Sequence, residues 1–196
     1  MIKKLSCLIV FFVLIFCFAS AEEILDDVLK LHGYTDGVLN FDSIYLDPHD
    51  GPGYAYYPVS VSLPKGTVVH VLTQVMDSQG NRWVLAESDK IRAYFLQQDN
   101  QGRILIDCDL SMVPAEQTEF DSISCCLLYT ECQLLYGPDP SYQASMFTAD
   151  TDGFGYVVLM NGDWALVEFC AEYDSASWLP EGRKTRGWIP FSNLVY

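Results

Sequence analysis

The chain has 196 residues, of which 26 are acidic and 11 are basic, so its formal net charge at pH 7 is −15. This excess of carboxylates repels phosphate backbones, which excludes nucleic acid as an expected partner and disfavours docking on anionic lipid. The length allows one or two domains, and the charge favours a neutral or cationic ligand.

The N-terminus has the three parts of a secretory signal peptide. Lys3 and Lys4 give a positive start, residues 5–18 are an apolar run, and residues 19–21 (Ala-Ser-Ala) suit signal peptidase. The run is short for a membrane span. We therefore predict a signal peptide over residues 1–21, a secreted or cell-envelope protein, and no membrane span after cleavage. Cleavage would remove both lysines and raise the excess of acidic over basic residues from 15 to 17.

Residues 22–40 are expected to form an N-terminal arm. Apolar residues in its first part recur at helical spacing, namely Ile24, Leu25, Val28, Leu29 and Leu31. The acidic residues near its start suit the positive end of a helix dipole, and Gly33 could cap the other end. The pattern predicts a short amphipathic helix over residues 22–32, with a frayed arm as the alternative.

Residues 41–100 read as a first repeat of short strands separated by turns. The predicted elements are an opening strand over residues 41–46, a turn-rich loop over 47–53, a turn over 63–67, a β-branched strand over 68–75, a hairpin turn over 77–81, and strands over 82–87 and 91–96. This pattern is typical of a small all-β unit.

The same features recur in residues 132–196, which we interpret as a second repeat. Gly137-Pro138 corresponds to Gly51-Pro52, and the Trp-led strand over 164–168 corresponds to the one over 83–87. Residues 184–189 (Lys-Thr-Arg-Gly-Trp-Ile) correspond to 90–95 (Lys-Ile-Arg-Ala-Tyr-Phe). Residues 101–131 lack the bias of a flexible linker, so we predict an ordered, strand-rich connector. Because barrels of this size are marginally stable alone, a shared interface is favoured.

The motifs resemble those of bacterial SH3-like domains found in exported proteins. The likeness is carried by Gly51-Pro52-Gly53, Lys65-Gly66-Thr67, Trp83 and Arg186-Gly187-Trp188-Ile189. It implies two tandem five-stranded barrels that bind rather than catalyse. Domains of the kind it resembles hold wall enzymes to peptidoglycan or to its peptides.

Loop tyrosines are the best candidates for ligand contact, because a tyrosine ring packs while its hydroxyl forms hydrogen bonds. The predicted binding residues are Tyr54, Tyr56, Tyr57, Tyr136 and Tyr142, with Trp178 in the long loop over residues 170–183. The alternative for each tyrosine is that its ring covers a small core. For Trp83, Trp164 and Trp188 we expect core packing.

Catalytic and metal-binding patterns are weak in this sequence. No nucleophile elbow, zinc-type histidine pair or phosphate loop occurs, so we expect no enzyme activity and no cofactor. The acidic loops at residues 47–50 and 150–153 offer too few oxygens for calcium, and no metal is expected. Five cysteines would remain after cleavage (Cys108, Cys125, Cys126, Cys132 and Cys170), and their pairing, with Cys132 as one candidate partner, stays open.

Together these patterns predict an exported, non-catalytic binding module for peptidoglycan peptides or a wall-associated extracellular protein. The alternative is an acidic protein-interaction or structural subunit that holds a basic partner protein. The sequence does not indicate an oligomeric state.

Overall fold

The computed structural model describes residues 28–116, 125–170 and 179–195. In these ranges the protein is all-β, and its only helices are short 3₁₀ turns. The strands are β1 (Leu29–Lys30), β2 (Thr35–Leu39), β3 (Val68–Met76), β4 (Arg82–Ser88), β5 (Ile91–Leu96), β6 (Ile106–Cys108), β7 (Cys125–Leu128), β8 (Cys132–Leu135), β9 (Ala144–Ala149), β10 (Phe154–Asn161), β11 (Trp164–Cys170), β12 (Lys184–Pro190) and β13 (Leu194–Val195). Among the described residues, no helix is long and apolar enough to cross a membrane.

The strands form two sheets that share one order. The first sheet runs β5-β4-β3-β2-β6, and the second runs β13-β7-β10-β11-β12-β8-β9, with β1 added in parallel beside β10. Five strands of the second sheet, β13-β7-β10-β11-β12, repeat the order β6-β2-β3-β4-β5 of the first. In both sheets an antiparallel meander of three strands is extended by an opening strand and a closing strand. The β8–β9 hairpin occupies the connection that residues 40–67 form in the first sheet.

The helix predicted in the N-terminal arm is wrong for the described residues. Leu29–Lys30 is a strand, paired in parallel with Leu159 and Met160 of β10, and Leu31 continues by donating its N–H to the carbonyl of Met160 at 2.9 Å. Pairing with β10 satisfies the backbone and buries part of Leu29, which outweighs a weak helical preference. Residues 22–27 lie outside the described ranges.

The opening strand predicted over residues 41–46 is also wrong. Ser43–Tyr45 is a 3₁₀ turn, and Ile44 and Tyr45 are exposed. The hydroxyl of Ser43 is buried, donating to the carbonyl of Val61 and accepting from the N–H of Leu63, both at 2.7 Å. These bonds fold the segment across its own loop, and β2 serves instead as the opening strand.

The predicted connector over residues 101–131 contributes to both sheets. Its first part contains β6, which pairs with β2 in the first sheet. Its last part contains β7, which pairs with β10 in the second sheet. The change of sheet therefore falls between Cys108 and Cys125.

Three hydrophobic clusters hold the fold together. One lies within each sheet, and a third joins the two sheets, combining Leu72, Val75, Trp83, Leu85 and Tyr94 with Val158, Leu159, Leu166 and Trp188. Core packing is confirmed for Trp83 and Trp188, which are fully buried, whereas Trp164 is half-buried at the margin of this shared cluster. The two sheets thus share apolar surface as well as chain.

Candidate ligand-binding cleft

Two loops with the same sequence pattern lie at the contact between the two sheets. We call residues 51–56 tyrosine loop 1 and residues 137–142 tyrosine loop 2. Each begins with Gly-Pro and ends with a tyrosine. The ring folds back onto the first glycine: a Cβ at Gly51 would lie 2.0 Å from the Tyr56 ring, and one at Gly137 would lie 1.8 Å from the Tyr142 ring. Only glycine fits beneath these rings, because real Cβ atoms do not approach so closely.

Each loop places its last tyrosine against the sheet of the other repeat. The hydroxyl of Tyr56 donates to Oε2 of Glu168 in the second sheet at 2.5 Å. In return, the Tyr142 ring lies against two cations of the first sheet, with the Lys90 ammonium 5.2 Å and the Arg92 guanidinium 5.7 Å from its centroid. In each sheet a glutamate faces an arginine as its cross-strand neighbour, Glu168 with Arg186 and Glu87 with Arg92. The contact between the sheets is therefore reciprocal.

Arg186 is the centre of a buried network in this contact. Its Nε donates to Glu168 at 2.8 Å, and its Nη1 donates to the Tyr94 hydroxyl at 2.7 Å and to Glu116 at 2.8 Å. Glu116 also accepts hydrogen bonds from Tyr94 and Thr73. The Arg186 side chain is only 3% exposed. Two carboxylates and one guanidinium are thus removed from water with their hydrogen bonds made, as a buried charge requires.

Electrostatic interactions within the network keep its glutamate and arginine side chains ionised. Burial alone would raise the pKa of Glu168, but Arg186 and Lys184 hold it below the ordinary value. Burial alone would lower the pKa of Arg186, but the carboxylates of Glu168 and Glu116 beside it help to raise it well above the usual range. Burial raises the pKa of Tyr56 and Tyr94 well above the ordinary value, so both phenols stay protonated as donors.

Asp50, directly before tyrosine loop 1, is a third buried carboxyl at the contact. Its oxygens accept from the Thr185 hydroxyl at 2.5 Å and from the backbone N–H of Tyr57 at 3.0 Å. Burial raises its pKa to about 7, although both hydrogen bonds and the nearby Arg186 and Arg183 oppose the shift. Asp50 is therefore a group that titrates near neutral pH in the folded protein.

A cleft of about 560 Å³ opens beside this network. Tyrosine loop 1 forms one wall, and Met76 at the end of β3 together with Asp77, Ser78 and Gln79 of the following turn forms a second wall, the hairpin wall. Glu168, Lys184 and Arg186 of the second sheet close the cleft. Both sheets therefore build it.

The hairpin wall is fixed by the Asp77 carboxylate. It accepts from the backbone N–H groups of Gln79 and Asn81, from the Asn81 amide, and from Nε1 of Trp83 at 3.0 Å. Burial acts to raise the pKa of Asp77, but these hydrogen bonds lower it below the ordinary value. A wall held in this way needs little ordering when a ligand binds.

Among the described residues that were predicted to bind ligand, Tyr54 is the most exposed, and it lines the cleft. Its side chain is 54% exposed, and its ring stands edge-on to Trp83 and to His49, each with a centroid separation of 5.5 Å. His49 is itself held by Tyr56 O and Asp47. The Tyr54 ring thus rests on a rigid aromatic base.

The other predicted residues have more internal positions. Tyr56 lines the cleft but is 6% exposed, and Tyr136 is buried against the core of the first sheet. Tyr57 is half-buried against Phe147, with the Arg183 guanidinium 4.3 Å above its ring. Tyr142 is half-buried beneath Lys90 and Arg92. Trp178 lies outside the described residues.

Sequence reasoning missed the residues that the second sheet brings to this place, namely Glu168, Lys184 and Arg186. A signal was present, because the repeated Glu-then-Arg pairs, Glu87 with Arg92 and Glu168 with Arg186, stand at matching places in both repeats.

Among the described residues no three His, Cys, Asp or Glu side chains are grouped to hold a metal ion. Cys132 is a buried thiol and not half of a disulfide.

Comparison of the sequence with protein-family models and with curated proteins gives no match.

Proposed function

We propose that this protein is an exported, non-catalytic module of two SH3-like units that binds a peptide of the cell wall in the cleft beside tyrosine loop 1. The observation that carries the proposal is the exposed ring of Tyr54, fixed on Trp83 and His49 at the mouth of a 560 Å³ cleft. An exposed aromatic ring on a rigid base supplies contact area at little cost in conformational entropy. The shared strand order of the two sheets and the motif resemblance support the SH3-like interpretation.

The charges of the cleft favour a ligand without a large net charge. Its lining contains the carboxylates of Asp77 and Glu168 and the cations of Lys184 and Arg186, so the formal charges cancel. Most of these groups already have partners, whereas Tyr54, Met76, Ser78 and Gln79 offer apolar area and hydrogen-bonding groups. A short peptide, with a polar backbone and both kinds of terminal charge, matches such a surface.

Retention on purified peptidoglycan tests the proposal. We expect the protein without residues 1–21 to be retained at low and moderate salt, and Tyr54→Ala to weaken retention by about tenfold, as for an interface anchor. Tyr45→Ala is the matched control, because Tyr45 is an exposed tyrosine outside the cleft lining. No retention at either salt concentration would overturn the wall ligand.

The net charge of −15 supports a second candidate, an acidic subunit that holds a basic partner protein. Salt separates the two candidates, because charge-led pairing weakens steeply as ionic strength rises. Binding that resists moderate salt and depends on Tyr54 favours the peptide cleft. Binding to a basic protein that is lost at moderate salt and ignores Tyr54 favours the second candidate.

A further inference from the structure

The reciprocal contact creates two related positions, and the cleft of about 560 Å³ lies at the first of them. At the first, tyrosine loop 1 faces Glu168, Lys184 and Arg186. At the second, tyrosine loop 2 faces Glu87, Lys90 and Arg92. Counting from the first glycine of each loop, Pro140 stands where Tyr54 stands. Two repeats would by themselves suggest two sites.

The second position lacks one wall of the cleft. In the first sheet, residues 77–81 lie between the paired Met76 and Arg82, and part of this longer turn forms the hairpin wall. In the second sheet only Gly162 and Asp163 separate the paired Asn161 and Trp164. A turn this short reaches no farther than the end of its strands, so it cannot face tyrosine loop 2 across a gap.

The cations at the two positions are also engaged differently. With its amide oxygen turned toward the guanidinium, Asn161 accepts from Nη1 and Nη2 of Arg92 at 2.9 and 3.1 Å. Arg92 also lies 5.1 Å above the Trp188 ring, and the Lys90 ammonium lies 5.2 Å above the Tyr142 ring. Lys184 differs from Lys90 in that it lines the cleft itself. Among the described residues its ammonium donates one hydrogen bond, to Glu168 at 3.1 Å, and its side chain is 38% exposed. Because an ammonium has three N–H groups, Lys184 keeps donors that can reach a ligand in the cleft.

We propose that the chain binds one ligand rather than two, in the cleft beside tyrosine loop 1, and that Lys184 is the contact that the second repeat supplies to it. This inference rests on the proposed function for the identity of the ligand as a peptide. The site is composite because both repeats contribute to it. The first repeat provides the aromatic ring and the hairpin wall, and the second provides the ammonium.

Two probes test it: soluble muropeptides, titrated by calorimetry, and phenol, located by amide chemical-shift changes. We expect about one muropeptide per chain. Tyr54→Ala should weaken binding about tenfold and Lys184→Met about threefold, in line with an aromatic anchor and a partly exposed charge. Pro140→Ala and Lys90→Met, the same places in the other repeat, should change binding less than about twofold. Phenol should shift amides around Tyr54 and not those around Pro140.

The outcomes separate the two proposals. Two muropeptides per chain, or equal losses from Lys90→Met and Lys184→Met, would overturn the single site while leaving the wall ligand standing. Phenol in the cleft without muropeptide binding would overturn the wall ligand and support the single site. Phenol at both positions, or at neither, would overturn the single site. Melting temperatures of all four variants show whether a loss reflects unfolding.

Discussion

At the scale of single residues, two neighbouring tyrosines of one loop have different roles. Tyr54 is exposed at the cleft, whereas Tyr56 is buried and bonded to Glu168. Residue type and spacing do not distinguish the two tyrosines, so the sequence could predict both as ligand contacts but could not show which one is exposed. What separates them is the ring of Tyr56 folding onto Gly51, a contact that follows from the three-dimensional path of the loop.

We predict that Tyr56→Phe destabilises the protein and that Tyr54→Phe does not. Loss of the Tyr56 hydroxyl leaves a buried oxygen of Glu168 short of one donor, which costs about 1–3 kcal/mol of unfolding free energy. Urea denaturation of both variants measures the difference. Equal stability of the two variants would show that the Tyr56 hydroxyl is not needed in the contact.

Asp50 gives a pH prediction at the same scale. Its pKa is raised from 3.8 to about 7 in the folded state, so the folded protein prefers the protonated acid. The group therefore reduces stability progressively as pH rises from about 4 to about 7, and by a constant amount above that. Asp50→Asn resembles the protonated form, and it should gain stability relative to the unsubstituted protein over this window, by no more than about 4 kcal/mol.

Unfolding free energies of both proteins between pH 4 and pH 8 provide the measurement. The difference between them isolates Asp50 from other titrating groups. A difference that does not vary with pH would contradict the raised pKa of Asp50.

At the scale of elements, the tyrosine loops depend on their first glycines. Gly137→Ala places a methyl group where the Tyr142 ring lies, so we expect a loss of roughly 1–3 kcal/mol through displacement of that ring. Gly33→Ala is the matched control, because a Cβ at Gly33 meets no atom within 4 Å. Thermal unfolding compares the two. A Gly137→Ala protein as stable as Gly33→Ala would mean that the loop tolerates another path.

The central strands could be predicted from the sequence, but the strands at the margins could not. β5 has the predicted bounds, and β3 and β4 differ from theirs by a single residue, because alternation and turn residues define them locally. β1 is a strand because it pairs with β10. The 3₁₀ turn at Ser43–Tyr45 is stabilised by hydrogen bonds from Ser43 to Val61 and Leu63. Local patterns carry no information about such distant partners.

At the scale of the whole molecule, the buried network makes the two sheets one stable unit. We predict that Arg186→Leu lowers the unfolding free energy by about 3–5 kcal/mol, because Glu116 and Glu168 then remain buried without their cation. Arg103→Leu is the control, since Arg103 pairs with Asp99 at the surface. Urea denaturation followed by tryptophan fluorescence and by far-UV circular dichroism is the measurement.

The shared cluster around Trp83 and Trp188 should make unfolding a single transition for both sheets. Two separated transitions in the unsubstituted protein would contradict this coupling. A loss in Arg186→Leu no larger than in Arg103→Leu would show that the network contributes little. The cleft is the part of the molecule that sequence reasoning could least foresee, because its walls come from both repeats and the bond from Tyr56 to Glu168 spans 112 residues.

The spacing of the Arg186 network also orders events during synthesis. Arg186 follows Tyr94 by 92 residues and Glu116 by 70, so the ribosome completes the first sheet well before β12 is made. Until then the nascent sheet presents Tyr94, Glu116 and the apolar side chains of the shared cluster to water and to other chains. Such a face can associate with other chains during this interval, and it is buried once β11 and β12 have been made and have packed against it. Conditions that slow translation between residues 116 and 186 should therefore lower the yield of folded protein more than they lower the yield of chain.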